Sequence, residues 1–212
     1  MSPAGEEPPP AMARFLASLE LDYDRWREGE GYDLEALRAL TPSEQEVALA
    51  LLRERLGGPG AGWREVEAVA ALALPAAMRF LRELEWHDVA EIRLRAAVLA
   101  PDGGSRGTVE REVLRLLRDP ATDIGADALM RRAEEHPEPA IRAALLWCAV
   151  DGAPHLRVHA AALALYLAGG ARSAFDWEHR PLFLRFGEPP RAERQAALAE
   201  LLGRMERGSP PG

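Results

Sequence analysis

Ile141-Arg142-Ala143-Ala144-Leu145-Leu146 and, seventeen residues further on, Val158-His159-Ala160-Ala161-Ala162-Leu163 share one plan: a branched aliphatic residue, a variable residue, then alanines and leucines. Ile92-Arg93-Leu94-Arg95-Ala96-Ala97 and Ile124-Gly125-Ala126-Asp127-Ala128-Leu129 follow it too, so that the aliphatic positions stand 32, 17 and 17 residues apart. A step of about 17 residues is one helix plus one turn, and twice that is a helical hairpin. Alanines let neighbouring helices approach closely, while the aliphatic residues fill the core they share. Each hairpin then buries its apolar face on the next.

The flanks of these stretches are helical as well. Thr41-Pro42-Ser43-Glu44 combines an N-cap, a proline at the first helical position and the acid of a capping box. Val47, Leu51 and Leu52 then form an apolar stripe, and Gly57-Gly58 ends the helix after Leu56. Further helices are predicted over 63–73, 75–85, 88–99, 108–118, 123–135, 138–149, 155–168 and 190–204. Thr108 and Asp123 are the expected N-caps of two of them, and Gly169-Gly170 a stop. Ile occurs only at positions 92, 124 and 141, and no window shows the alternation of a strand. The fold class predicted is all-α.

Leu81-Arg82-Glu83-Leu84-Glu85-Trp86-His87-Asp88-Val89-Ala90-Glu91-Ile92-Arg93-Leu94-Arg95-Ala96-Ala97 resembles a HEAT-like repeat of the short bacterial, PBS-lyase type. So does His136-Pro137-Glu138-Pro139-Ala140-Ile141-Arg142-Ala143-Ala144-Leu145. The resemblance covers about residues 63–168. It implies a short right-handed α-solenoid of about four or five stacked antiparallel hairpins. Arginines of the family often pair with turn acids, a role that would fall on Arg93 with Asp88 or Glu91 and on Arg142 with Glu138. Gly125 and His159 interrupt that ladder. The organisation expected is a disordered tail at 1–10, an acidic, aromatic N-terminal cap at 11–40 and HEAT-like repeats at 41–168. A C-terminal cap with the last helix follows at 169–206, then a disordered tail at 207–212. A HEAT-like architecture implies a scaffold far more than any one function.

All 26 basic residues are arginine, so a lysine Schiff base is unavailable. Residues 1–46 hold eleven acids against four arginines, a balance of −7 out of a net charge of −8. With no basic face in view, nucleic acid is disfavoured as a partner. The single cysteine, Cys148, cannot form an intrachain disulfide, and the longest apolar run, 158–168, is too short to cross a membrane. A cytoplasmic location is expected, without a membrane partner.

Two segments stand out as candidate sites. Leu21-Asp22-Tyr23-Asp24-Arg25-Trp26-Arg27-Glu28-Gly29-Glu30-Gly31-Tyr32-Asp33 opens like an EF-hand loop, with Asp22 and Asp24 at its first and third positions. Trp26 then replaces a ligand, Arg27 the required glycine and Asp33 the usual glutamate, so no calcium site is expected. Packed inward, Tyr23, Trp26 and Tyr32 would make this a cap; turned outward, it would be a recognition loop. Ala174-Phe175-Asp176-Trp177-Glu178-His179-Arg180-Pro181-Leu182-Phe183-Leu184-Arg185-Phe186 poses the same choice, with Phe175, Phe183 and Phe186 as the buried part of a cap. The residues expected to face a partner are Asp22, Tyr23, Asp24, Trp26 and Glu28 in the first segment, and Asp176, Trp177 and Arg180 in the second.

Catalysis finds little support in the sequence, and no cofactor or metal is expected. His155 and His159 have the spacing of two ligands on one helix face, but Leu156 stands where a zinc protease carries its general base and no third ligand is in view. Gly103-Gly104-Ser105-Arg106-Gly107 reads as a solvated connector rather than an anion cradle. No catalytic motif of the phosphate-loop, nucleophile-elbow or Cys-His kind occurs. The function expected is protein–protein binding. Its sharper form is a toxin-neutralising immunity protein or adaptor that pairs the acids of residues 20–35 with a basic target. The rival is an enzyme or lyase-type chaperone acting on nucleic acid or a tetrapyrrole, since relatives of this architecture include both.

Overall fold

A computed structural model describes residues 10–20, 30–100 and 106–208 of the chain. Among them are twelve α-helices and no strand. They fall into two compact units, residues 1–104 and 105–212, a division inside the stretch 41–168.

Unit 1 holds α1 (Ala11–Ser18), α2 (Leu34–Ala39), α3 (Pro42–Leu56), α4 (Trp63–Ala71), α5 (Pro75–Leu84) and α6 (Ala90–Leu99). The first two lie in the segment read as an N-terminal cap, for which no helix was predicted. Asp33 starts α2: its Oδ1 accepts from the Ala36 N–H at 2.8 Å, while Arg14 of α1 donates to Oδ2 at 2.8 Å. The N–H of Ala36, more than Arg14, holds the Asp33 carboxyl below the usual carboxylate range. Helix α3 starts as expected, with the Thr41 N–H donating to Glu44 Oε2 at 2.8 Å and the Glu44 N–H to Thr41 Oγ1 at 3.4 Å. Its buried face only partly matches the expected one: Leu52 is buried, and Leu51 is half-buried. Gln45, Ala48, Leu49, Leu52 and Leu56 point inward, and Val47 is exposed. Helix α4 is the centre of the unit, in contact with α2, α3, α5 and α6. Its small side chains Val66, Ala68 and Val69 are fully buried and let those neighbours come close.

Unit 2 holds α7 (Arg106–Leu117), α8 (Ala126–Glu135), α9 (Pro139–Asp151), α10 (Pro154–Leu167), α11 (Arg180–Phe183) and α12 (Arg191–Gly208), with 3-10 turns at Trp177–His179 and Leu184–Phe186. The most extensive contact is α9 on α10. Helix α7 also lies against α9, and α8 against α10, so helices two apart in the chain are neighbours. Ala160 to Leu165 are all buried, which makes α10 a helix covered on every side.

Helix ends lie within about a turn of expectation, with two local differences. Thr108 falls inside α7, because that helix begins at Arg106. Gly125, not Asp123, is the N-cap of α8, which leaves Ile124 in the preceding loop. Ile124 is still buried, and its carbonyl is bonded to His155 Nε2 at 2.9 Å.

One arginine contact recurs. Arg142 Nε donates to the Pro137 carbonyl at 3.0 Å, Arg157 Nε to Gly152 at 2.9 Å and Arg93 Nη1 to Asp88 at 2.7 Å; Arg194 Nη1 donates to Pro189. Each arginine is the fourth residue of its helix, and each acceptor lies five residues back in the turn before it. A turn carbonyl turned away from any ladder needs such a donor.

Candidate partner-binding surface

The segment after α10 is shaped by two glycines and one carboxylate. Gly169, with φ of +76°, donates its N–H to Tyr166 O at 2.9 Å, and the Gly170 N–H reaches Leu165 O at 3.0 Å, closing the helix. A Cβ on Gly170 would stand 2.4 Å from Leu165 Cδ1, so any larger residue there has to displace that buried side chain. Asp176 is 8% exposed. Its Oδ1 accepts from the Glu178 N–H and its Oδ2 from the Arg172 N–H, both at 3.1 Å. Those backbone donors hold its carboxyl below the usual range. Asp176, one of the expected contact residues, therefore folds the loop from inside.

The aromatics divide. Phe183 and Phe186 are fully buried, and Phe175 is half-buried, its ring centroid 5.8 Å from those of both His159 and Phe183. Trp177 is 70% exposed, with the Arg180 guanidinium 4.5 Å from its ring centroid. The cation holds one face of the indole by its quadrupole and leaves the rest in water. Next to Phe175 opens a groove of about 390 Å³. Met130 of α8, Leu163 of α10 and Phe175 give it apolar wall, with Asp127, Arg131 and Glu134 at its polar side and His159 within it. The sequence did not reveal this groove, because its walls come from three separated segments.

Asp22, Tyr23, Asp24, Trp26 and Glu28 lie outside the described residues, as does Gly103-Gly104-Ser105. Tyr32, at the edge of the first candidate segment, is buried. Unit 1 does present a large exposed aromatic elsewhere: Trp86, 87% exposed, in the turn before α6. That turn is held firmly. His87 Nδ1 accepts from the Val89 N–H at 3.1 Å, which leaves Nε2–H to donate to Leu56 O at 3.3 Å.

Among the described residues no group of three or more His, Cys, Asp or Glu could hold a metal ion. Nor is any described helix long and apolar enough to cross a membrane. His155 bonds to the loop before α8, and His159 packs on Phe175, so each has a structural contact. Compared with protein-family models, curated proteins and solved structures, the chain matches none of them.

Proposed function

We propose that this chain is a non-catalytic protein-binding module whose hairpins stack in HEAT-like fashion, and that its partner docks on the α8–α10 groove with Trp177 and Arg180 as contacts. The observation that carries the site is the exposure of Trp177 in a segment whose other aromatics are buried or half-buried. An indole left in water forgoes on the order of 3 kcal/mol of burial free energy, which a partner can recover. Trp and Arg are also the residue types that most often dominate interfaces. The stacking rests on the pairing of α7 with α9 and of α8 with α10, and on an arginine clamp at one fixed helix position.

In its sharper form the partner is a basic protein, such as a toxin held neutral, drawn by the net charge of −8. The test is affinity capture from the source cells with the wild-type chain and with the Trp177→Ala/Arg180→Ala pair. A protein retained by the first and released by the second, at unchanged helical circular dichroism, is expected. Equal retention by both would remove this surface from the function. Binding that survives raised salt undiminished would reject the electrostatic form.

A further inference from the structure

A second cleft of unit 2, about 440 Å³, is lined by Gly169, Gly170, His179, Glu200, Arg204 and Arg207. Arg204 donates through Nη1 to His179 Nδ1 at 2.8 Å and through Nη2 to Glu200 Oε1 at 2.7 Å. The other Glu200 oxygen accepts from Arg185 at 2.6 Å. An imidazole nitrogen that accepts from a guanidinium carries no proton, so His179 is protonated on Nε2. That N–H has no acceptor among the described residues. Arg207 makes no hydrogen bond or ion pair among them either. Its guanidinium lies over Gly203, where a Cβ would be 3.5 Å from Nη1.

The local charge runs against that of the chain. Arg185 and Arg204 both bond to one carboxylate, Glu200, and hold it below its usual range, while Arg207 lines the same cleft. At the carbonyl end of α10, the Gly169 and Gly170 N–H groups occupy the Tyr166 and Leu165 oxygens, which lessens the repulsion an anion would meet there. Two donors remain unused there among the described residues: the Arg207 guanidinium and His179 Nε2–H. We propose that this cleft binds an oxyanion, the phosphate or carboxylate group of a small ligand, through Arg207 and His179, with Arg204 fixing the imidazole. A guanidinium fork matches either oxyanion, and the cleft volume leaves room for the body of a small molecule. The inference does not depend on the protein-binding surface, which uses other residues.

The full chain is titrated with inorganic phosphate and, separately, with acetate at constant ionic strength, followed by calorimetry and by the His179 ring resonances. Saturable binding that shifts the His179 signals is expected. Arg207→Gln weakens it about tenfold or more, the loss of a charge-assisted contact. Arg111→Gln, another exposed arginine of unit 2, leaves it unchanged. Tighter phosphate binding assigns a phosphoryl ligand, and tighter acetate binding a carboxylate. Absence of saturation with both anions, wild-type binding by Arg207→Gln, or an equal effect of Arg111→Gln overturns the site. Arg207 is exposed and unpartnered among the described residues, so its variant retains the fold, which circular dichroism checks.

Discussion

The Tyr32 phenol donates a hydrogen bond to Glu65 Oε1, and both groups are buried. The other Glu65 oxygen accepts from the Gly62 N–H at 3.0 Å, at the start of α4. Arg55 of α3 places Nε 3.8 Å from the same carboxylate and its guanidinium 5.8 Å from the Tyr32 ring centroid. One carboxylate thus joins the chain before α2, the end of α3 and the beginning of α4.

Tyr32→Phe removes the phenol donor and leaves a buried carboxylate one partner short. Its cost is about 1–3 kcal/mol in chemical denaturation, the range for an unsatisfied buried acceptor. A wild-type midpoint and slope would show that the carboxylate is satisfied without the phenol.

The same phenol makes stability depend on alkaline pH. Burial, then the hydrogen bond to Glu65, pushes Tyr32 from 10.0 up to about 12. The neutral phenol is the form the fold favours. Its contribution is therefore complete below 10.0 and is lost as pH rises from there through about 12. Tyrosinate absorbance should show a late phase that Tyr32→Phe abolishes; a titration curve identical in the variant would contradict this.

The arginine clamps should rank by burial. Arg157 is half-buried, bonds to Gly152 O and, at 3.4 Å, to Gly187 O, and is pulled below the usual guanidinium range by burial and by Arg194. Arg142 is exposed and bonds to Pro137 O. Replaced by Met, which keeps much of the aliphatic stem, Arg157 costs about 1–3 kcal/mol and Arg142 less. Thermal unfolding of the two variants gives the order, and the reverse order would mean that the carbonyl contacts are not what stabilises these turns.

Two glycines should respond in opposite directions. A Cβ on Gly152 would meet Cys148 Sγ at 2.6 Å and the Cys148 carbonyl oxygen at 2.7 Å, so Gly152→Ala forces the end of α9 apart at a cost of about 1–3 kcal/mol. A Cβ on Gly107, within α7, meets nothing within 4 Å. Gly107→Ala, at the second position of the helix, gains up to about 0.5 kcal/mol, the lower end of the range for a mid-helix glycine. Matching shifts in melting temperature for the two would refute the packing argument.

Cys148 is fully buried, and burial pushes its thiol up to about 12. The thiolate is the reactive species. A disulfide reagent at neutral pH should therefore label Cys148 only at the rate at which unit 2 opens, faster in Gly152→Ala. Rapid labelling of the native chain would place the sulfur nearer the surface than it lies here.

Local signals on neighbouring residues located most helices. The Thr41–Glu44 box and the Gly169-Gly170 stop act through contacts within a few residues, and they stand where they were read. The register of the repeat was less legible. Aligned on aliphatic and alanine residues, His159 falls against Arg142 and the arginine pattern is broken. Aligned on helix starts, Arg157 takes that place and Leu156, not the half-buried Val158, is the buried aliphatic residue.

By itself, then, the sequence determined that the chain is helical and where it turns, because caps, glycines and the helical period are written in adjacent residues. Which side of a helix is covered depends on what lies across from it, and that is why Val47 faces water while Ala160 to Leu165 are enclosed. The candidate sites belong to that second level. Trp177 and Phe183 are both aromatics in one short segment, yet only the tertiary structure sends one outward and one inward, and only it brings Met130, Leu163 and Phe175 to a single groove.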